Sequence, residues 1–517
     1  MEPGKLRTLR TVITENLRVQ RGGADPVPYI DVGNVLGDVA ARQNHAIFGR
    51  RGCGKTLLLH HSAANLPQSV KPIYLNCEDF KKHSFPNVLI EILDALFGEL
   101  EKHLTGWFGR KKRSKDLIAA IRAKLDNLRG KEDFQQREVR ESETAEAKDS
   151  HNAEAGVTVR SARLAITNDL SESARRETER RYTEHKDKIR ELDTWLPRLK
   201  SQIREFFDLS SAVSAVFLQI DDFYHIARAD QPLVIDYIHR VCKDLPLYFK
   251  VATLRHVTAL YADRLGQPIG AQERHDYQPV NIDFTFADFR RTVEQNRRIF
   301  QEFGRLSGIS TAEVDGLFKG EGFERLILAG GGVPRDCLSL FLEVVEGVQL
   351  PAGDGRIGKD DVRILSRANF ERRIEELKQD SEGAEQSSLI KGIYVLRQFC
   401  VVEKKTNVVL VSEAVLQQSA TVQTLLYRLL DYRIIHSAGS ALTHKSQSGT
   451  YHAFAIDIGC YAHMRILDQK FTEIDLADPE AKEKMRSAPI FDEKSLNALW
   501  VSAPADPEAA LKDEDPV

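Results

Sequence analysis

A glycine-rich segment, Gly49-Arg-Arg-Gly-Cys-Gly-Lys-Thr56, constrains the fold of this chain more than any other feature. It follows the apolar run Ala46–Phe48 and precedes Leu57–Leu59, so the pattern predicts a loop between a buried strand and a helix. The three glycines allow the backbone to approach an anion closely. Its N–H groups and the positive end of the following helix would then face phosphate oxygens.

The residue types in this loop predict a nucleoside triphosphate site. Lys55 would reach the β- and γ-phosphates, and the hydroxyl of Thr56 would bind Mg²⁺. The alternative is an ordinary glycine-rich turn before a helix. The residues expected to contact the nucleotide in this segment are Gly49, Gly52, Cys53, Gly54, Lys55, Thr56 and Leu57.

The composition is that of a soluble globular protein. The 517 residues allow about three domains, and 42% of them are hydrophobic and 29% charged. The sequence has no apolar run of about 18 residues and no signal-peptide pattern at its start, so we expect a cytoplasmic protein without a membrane partner. The six cysteines form no C-x-x-C pair, which argues against a disulfide framework and a zinc site. With a net charge of −3, any contact with nucleic acid would depend on local patches.

Two acidic residues follow the next strongly apolar run. Ala215–Ile220 reads as a strand, and it leads directly into Asp221 and Asp222. The carboxyl ends of parallel strands border the ligand crevice of open α/β sheets, so both carboxylates would face the nucleotide. Asp221 would hold Mg²⁺ through water, and Asp222 would orient or deprotonate the attacking water. The alternative is a surface turn after a core strand.

Two further segments are candidates for nucleotide contact. Leu247–Ala252 is predicted as another strand, and Thr253 or Arg255 at its end would lie near the γ-phosphate, unless they only begin a surface loop. Before the first strand, Tyr29 or Ile30 would either touch the base or pack against the edge of the domain.

A long insertion is expected within the α/β region. About 135 residues separate Cys77 from the strand at Ala215, far more than one crossover requires. Apolar residues repeat at spacings of 3 and 4 on both sides of a charged middle stretch, which predicts an antiparallel, coiled-coil-like helical hairpin at about residues 105–209. It would project from the core, with Pro197 bending the return helix. The basic cluster Arg110–Arg113 would meet DNA phosphates or simply begin a solvated helix.

From Phe284 the pattern becomes helical, with a glycine-rich break followed by Val333-Pro-Arg335. Pro suits the first turn of a helix, and Arg335 at that position would turn back toward the γ-phosphate. This block would form a helical lid over the nucleotide. A plain arginine at a helix start is the alternative.

Residues 387–463 are expected to form a separate small domain. Two helices followed by a β-hairpin with a polar tip are the order of a winged helix. Contact with DNA would use Gln423, Thr424, Tyr427 and Arg428 on the helix that starts at Thr421, with Lys445 on the hairpin. Because few cations line that helix, binding of a protein is the alternative. The acidic tail after Ala503 is predicted to be disordered.

In this order, the motifs resemble those of AAA+ ATPases of the origin-recognition and initiator-like clade, over residues 25–463. The resemblance implies a P-loop ATPase core at residues 1–282, a helical lid at 283–380, a winged helix at 387–463 and a partly disordered extension at 464–517. It also implies ATP and Mg²⁺ as cofactors, homo- or hetero-oligomers and an arginine finger, for which Arg264 is the candidate. The carried-over roles are phosphate and Mg²⁺ binding by Lys55 and Thr56, the Walker B pair Asp221 and Asp222, sensor 1 at Thr253 and sensor 2 at Arg335.

Two departures from that family leave the function open. AAA+ proteins usually have Asp-Glu where this chain has Asp221-Asp222, and a shorter carboxylate implies slow hydrolysis. The ending Thr253-Leu-Arg255 also resembles STAND signalling ATPases. The leading hypothesis is an ATP-hydrolysing protein that couples nucleotide state to DNA binding or remodelling in replication, mobile-element maintenance or phage defence. The alternatives are a STAND-like switch that acts on protein partners and a nucleotide-binding scaffold without turnover.

Overall fold

The structure, a computed structural model, describes residues 3–17, 27–102, 110–131, 186–210, 212–264, 267–347, 355–381, 383–461 and 471–512. Most of the charged middle stretch of the predicted insertion lies outside these residues. No helix in the described ranges has the length and apolarity that crossing a membrane requires.

A five-stranded parallel sheet forms the centre of the molecule, in the order β2-β3-β4-β1-β7. Its strands are β1 (His45–Phe48), β2 (Val70–Asn76), β3 (Ala215–Asp221), β4 (Leu247–Thr253) and β7 (Gln278–Asn281). Every residue of β1 and β3 is buried, as expected for the inner strands of a parallel sheet covered by helices. A short antiparallel hairpin, β5 (Tyr261–Arg264) and β6 (Gln267–Gly270), stands apart from it. The predicted α/β fold with a parallel central sheet is confirmed.

Six helices surround this sheet, and an N-terminal helix precedes them. They are α1 (Pro3–Asn16), α2 (Val35–Ala40), α3 (Lys55–Ala64), α4 (Asn87–Lys102), α5 (Arg110–Arg129), α6 (Lys186–Leu209) and α7 (Gln231–Cys242). The α3 helix begins directly after the glycine-rich loop, at Lys55. The α1 helix packs instead on the helical block described below, into which it buries Leu9 and Ile13.

The described parts of the insertion pack onto the core, so the expectation of a projecting hairpin is wrong for them. The apolar seams of α5 and α6, with Leu125 and Leu199 among them, are buried together with α4 and the sheet. Ion pairs Arg122–Asp94 (2.9 Å) and Arg129–Glu91 (2.7 Å) join α5 to α4. The reason is that α4 is apolar on more than one side. The sheet covers one apolar side, and α5 and α6 cover the remaining apolar surface.

A helical block follows β7. Its helices are α8 (Phe289–Leu306), α9 (Thr311–Asp315), α10 (Gly322–Ala329), α11 (Pro334–Gly347) and α12 (Lys359–Asp380). Phe300 makes edge-to-face contacts with Phe323 and Phe341 at the centre of the block.

The C-terminal unit shares a continuous apolar core with this block. It comprises α13 (Gly383–Arg397), β8 (Val408–Ser412), α14 (Glu413–Gln418), α15 (Ala420–Asp431), β9 (Ile435–Thr443) and β10 (Thr450–Ile456), and the strands form an antiparallel sheet in the order β8-β10-β9. Residues 471–512 pack on the same unit and add α16 (Ala481–Met485), α17 (Glu493–Ser502) and α18 (Pro507–Lys512). The composition after Ala503 predicts disorder, whereas α18 is helical because Leu511 is buried in this core.

Candidate functional site

The glycine-rich loop joins β1 to α3, and glycine is required at two of its positions. Gly52 and Gly54 both have φ of +91°, in the left-handed region that other residues rarely adopt. A Cβ atom at Gly52 would also lie only 2.9 Å from Cβ of Arg335 and from Cγ1 of Val333. A Cβ at Gly49, where the loop begins, would lie 2.8 Å from Ile282. The loop therefore packs closely against the start of α11.

Lys55 is buried, and no carboxylate of the described residues lies at ion-pair distance from it. Its Nζ donates to the carbonyl oxygens of Gly49 (2.8 Å) and Arg50 (3.2 Å), within its own loop. Burial lowers the pKa of Lys55, and the nearby charge of Arg335 lowers it too, whereas the carboxylates of Asp222 and Asp221 raise it. An ammonium held in this way is well placed to bind a phosphate oxygen.

Arg335 lies beside Lys55 at the start of α11. Its backbone N–H points to the carbonyl oxygen of Gly52 at 3.4 Å. Within the part of the chain that the structure describes, the Arg335 side chain makes no hydrogen bond or ion pair. Two neighbouring cations that have no ion-pair partner in the described ranges are typical of an anion site.

Thr56 and Asp221 meet at the carboxyl edge of the sheet, as the sequence predicts for a Mg²⁺ site. The Thr56 hydroxyl donates to Oδ2 of Asp221 at 2.6 Å. Tyr74 of β2, which the sequence analysis missed, donates to the same oxygen at 2.8 Å. Burial raises the pKa of the Asp221 carboxyl, and the charge of Asp222 adds to this, whereas both hydrogen bonds lower it. A hydroxyl and a carboxylate are ligands that Mg²⁺ accepts together with water and phosphate oxygens, so the residues fit this ion. No cluster of three His, Cys, Asp or Glu in the described ranges forms a metal cage of its own.

Asp222 has a strained backbone at the place where the sequence predicts a catalytic group. Its φ of 50° lies in the left-handed region, and its N–H donates to Oδ1 of Asp221 at 2.9 Å. Strain of this kind is found at functional sites, where the surrounding structure holds the residue in place. The half-buried Asp222 carboxylate is close enough to Lys55 to raise the pKa of that lysine.

The residues after β4 are engaged with other partners. The Thr253 hydroxyl is 2.6 Å from the hydroxyl of Thr258. Arg255 pairs with Glu273 (2.8 Å), and its guanidinium lies 4.3 Å from the centre of the Phe48 ring. Arg264 ends β5, and its side chain lies outside the described part of the structure.

A cavity of about 110 Å³ opens beside the loop. The predicted contacts Cys53, Leu57 and Tyr29 line it, and so do residues of α1, α8 and α11. Burial raises the pKa of the Tyr29 hydroxyl, so this ring stays uncharged. The cavity is mainly apolar and adjoins Arg335, which suits the base and sugar of a nucleotide whose phosphates lie in the loop.

The two arginines of the loop point away from the expected phosphate position, which the sequence did not reveal. Arg50 forms a two-pronged ion pair with Asp283 (2.6 and 2.8 Å) and donates to the carbonyl oxygen of Gly331 at 2.9 Å. Arg51 donates to the hydroxyl of Tyr224 (2.9 Å) and pairs with Asp380 of α12 (3.0 Å). Two arginines within the motif indicate that each needs a polar partner. The sequence could not identify those partners, because they are far away along the chain.

A buried polar network extends from Arg50 into the C-terminal unit. Nδ1 of His436 is 3.4 Å from Nη1 of Arg50, and its Nε2 is 2.9 Å from Asp457. Burial lowers the pKa of His436 to about 4 in spite of Asp457, so the ring is neutral near pH 7. Asp457 also pairs with Arg373, and Arg433 donates to the backbone oxygen of Arg51 at 3.0 Å. The C-terminal unit therefore contacts the glycine-rich loop directly.

The predicted DNA-binding face of α15 is largely covered, which corrects two of its residues. Arg428 is 6% exposed and pairs with Glu385, and Tyr427 stacks on His256 with ring centres 4.3 Å apart. The α15 helix packs on the α/β core because Asp431 accepts hydrogen bonds from the N–H groups of His256 (2.8 Å) and Val257 (2.7 Å). In this arrangement neither Tyr427 nor Arg428 is free to contact a duplex.

The other proposed DNA contacts are more accessible. Gln423 and Thr424 are half-buried, and Lys445 on the β9–β10 hairpin pairs with Glu483 at 3.1 Å.

No protein-family model matches the chain, and no curated protein matches its sequence. Among solved structures, the chain is similar to a Walker-type ATPase of Pyrococcus abyssi, with 12% sequence identity and a TM-score of 0.37. That match covers 83% of this chain and 93% of the other. At this TM-score the similarity carries no argument about function.

Proposed function

We propose that this chain is an ATP-binding switch that hydrolyses ATP slowly and reports the state of its nucleotide through its C-terminal unit. The observation that carries the proposal is that Lys55 and Arg335, two neighbouring cations, have no ion-pair partner in the described ranges and lie next to the Thr56–Asp221 pair. A triphosphate in the loop would supply the missing negative charge.

The roles of the side chains follow from this geometry. Lys55 would leave the carbonyl oxygens of its own loop to hold the β- and γ-phosphates, and Arg335 would contact the γ-phosphate. Thr56 and Asp221 would hold Mg²⁺, which, when bound, neutralises charge on the phosphate oxygens. Asp222 would orient the attacking water. Its side chain is one methylene shorter than glutamate, which supports slow turnover.

A family assignment belongs to the same proposal. We infer an AAA+ ATPase of the initiator-like type, with the helical block as the lid and residues 383–461 as a winged helix. The strand order, with the glycine-rich loop after β1 and the two acids after β3, supports this assignment. An arginine at the start of a helix that contacts the loop supports the role of sensor 2 for Arg335.

The contact between the C-terminal unit and the loop favours the switch over a constitutive ATPase. Arg433 donates to the backbone oxygen of Arg51, and the ring of His436 contacts the side chain of Arg50. A movement of the loop would therefore disturb buried contacts of the C-terminal unit. A ligand that changes the loop therefore changes the docking of that unit.

DNA binding is a second candidate function. The helix–helix–hairpin order and the accessible Gln423, Thr424 and Lys445 support it. The burial of Arg428 implies that α15 would have to move away from the core before it could bind a duplex.

Assembly with further copies of the chain also remains part of the proposal. In such an assembly Arg264 would reach the nucleotide of a neighbouring subunit. Light scattering of the purified protein with and without ATP would detect a change of mass on nucleotide binding.

The deciding experiment measures ATP hydrolysis by the purified full-length chain, with and without double-stranded DNA. Lys55→Ala is the blank, and Lys81→Ala, which removes an exposed lysine paired with Glu78, is the matched control. We expect slow Mg²⁺-dependent hydrolysis that Lys55→Ala abolishes and Lys81→Ala leaves intact. Stimulation by DNA of severalfold would favour the DNA-coupled function. Equal turnover in wild type and Lys55→Ala would refute the proposed site.

A further inference from the structure

A largely buried glutamine of α8 lines the cavity beside the loop. Gln295 of α8 is 6% exposed and lines this cavity. Its amide makes no hydrogen bond within the described ranges. A ligand that fills the cavity would cover this amide, and leaving it unpaired would then be costly, so the cavity favours a ligand that pairs with it.

Glu302 of α8 and Asn16 of α1, which also line this cavity, already make hydrogen bonds. Ile299 and Glu302 follow Gln295 on the same face of α8, at i+4 and i+7. Both carboxylate oxygens of Glu302 accept hydrogen bonds from Arg305, at 2.6 and 2.9 Å. The amide of Asn16 donates to the carbonyl oxygen of Val12 at 2.7 Å. Among the described residues of α8 that line the cavity, Gln295 therefore has the polar side chain that can still form a hydrogen bond with a ligand.

We propose that Gln295 is a specificity-determining residue that pairs with the edge of an adenine base in this cavity, an inference that rests on the proposed nucleotide site. A carboxamide offers one acceptor and one donor side by side. Adenine presents the complementary pair, an N6–H donor beside the N1 or N7 acceptor. Guanine has an oxygen in place of the N6 amino group and carries its amino group at C2, where apolar neighbours such as Leu17 and Phe303 would leave it without a partner.

The test compares nucleotides that differ only in the base, with the full-length protein. Equilibrium binding is measured for ATP, for GTP and for purine riboside triphosphate, which lacks the N6 amino group. Wild type should bind ATP about threefold to tenfold more tightly than the purine riboside analogue. It should prefer ATP over GTP by about tenfold or more.

Two variants locate the effect. Gln295→Leu keeps the volume and removes the amide, so the difference between ATP and the purine riboside analogue should fall below about twofold. Gln301→Leu changes a glutamine of the same helix that pairs with Asp315 outside the cavity, and it should behave as wild type. The comparison of analogues on wild type needs no variant, so it decides the matter even if Gln295→Leu does not fold.

The outcomes separate this inference from the proposed function. If wild type binds triphosphates but does not distinguish these bases, or if Gln295→Leu keeps the full difference, the role of Gln295 is overturned and the nucleotide site stands. If wild type binds none of the three, the proposed function fails and the role of Gln295 fails with it.

Discussion

Arg433 of the C-terminal unit donates a hydrogen bond from Nη1 to the carbonyl oxygen of Arg51, at 3.0 Å, across 382 positions of sequence. The same guanidinium pairs with Asp336 (3.2 Å) and with Glu376, and it is almost fully buried. The glycine-rich loop, the helical block and the C-terminal unit therefore meet at one side chain. If nucleotide binding changes the conformation of the loop, it would alter the hydrogen bond of Arg433.

Replacing Arg433 with methionine should destabilise the protein substantially. The change removes the donor to Glu376 and to a loop carbonyl and leaves Asp336 with Arg373 alone, and breaking a buried pair costs about 3–5 kcal/mol. Urea denaturation should show a lower transition midpoint. Arg298→Met, which removes an exposed pair with Glu294, should change the free energy of unfolding by less than about 1 kcal/mol. Equal losses in both variants would contradict the assignment of Arg433 as a junction.

Asp222→Asn should separate catalysis from folding. Asparagine tolerates the left-handed backbone of this position, whereas alanine does not, so the fold should persist. Without the carboxylate, ATP turnover should fall by about 100-fold or more while ATP binding is retained. Single-turnover hydrolysis and a thermal melt measure the two effects. Unchanged turnover would remove Asp222 from the mechanism.

Tyr74→Phe should lower the affinity of the protein for Mg²⁺ without abolishing Mg²⁺-dependent hydrolysis. The Tyr74 hydroxyl donates to Oδ2 of Asp221, and partners that orient a ligating carboxylate typically contribute 10- to 100-fold to metal affinity. The Mg²⁺ concentration for half-maximal hydrolysis should therefore rise by about tenfold. Tyr248→Phe, on strand β4 of the same sheet, is the matched control and should leave this concentration unchanged. A similar shift in both variants would refute the role of Tyr74.

The stability of the protein should fall in mild acid, in part because of His436. Burial lowers the folded-state pKa of His436 from 6.5 to about 4. As the pH falls from about 6.5 to about 4, the unfolded chain gains a proton at this ring that the folded chain does not, so folding loses up to about 3 kcal/mol. His45 and His256, whose pKa values burial also lowers to about 4, act with the same sign.

The measurement is chemical denaturation of wild type and His436→Gln between pH 7 and pH 4.5. The contribution of Asp431, whose pKa burial raises to about 7, runs in the opposite direction and cancels in the comparison. The variant should lose less stability than wild type over this range. An equal pH dependence would show that His436 takes up its proton equally in the folded and unfolded chain.

The sequence alone determined the centre of the site, because each part of it is local. Strand, loop and helix follow one another from Ala46 to Leu59, and the glycine spacing imposes a backbone that only this kind of loop adopts. The positions of Asp221 and Asp222 could also be predicted from the sequence. The carboxyl end of a buried parallel strand always lies at the edge of the sheet where ligands bind. Tyr29 and Arg335 also lie at the cavity beside this loop.

The tertiary structure alone decided which distant charges meet. With 73 Lys and Arg and 76 Asp and Glu in the chain, no local pattern selects Asp283 for Arg50 or Asp457 for Arg373. These pairs form because separately patterned units dock through apolar faces, and the docking brings the charges together at long sequence separation. The same docking buries Arg428 and folds α5 and α6 onto α4, because the apolar surface offered by neighbouring units is a property of the assembled fold.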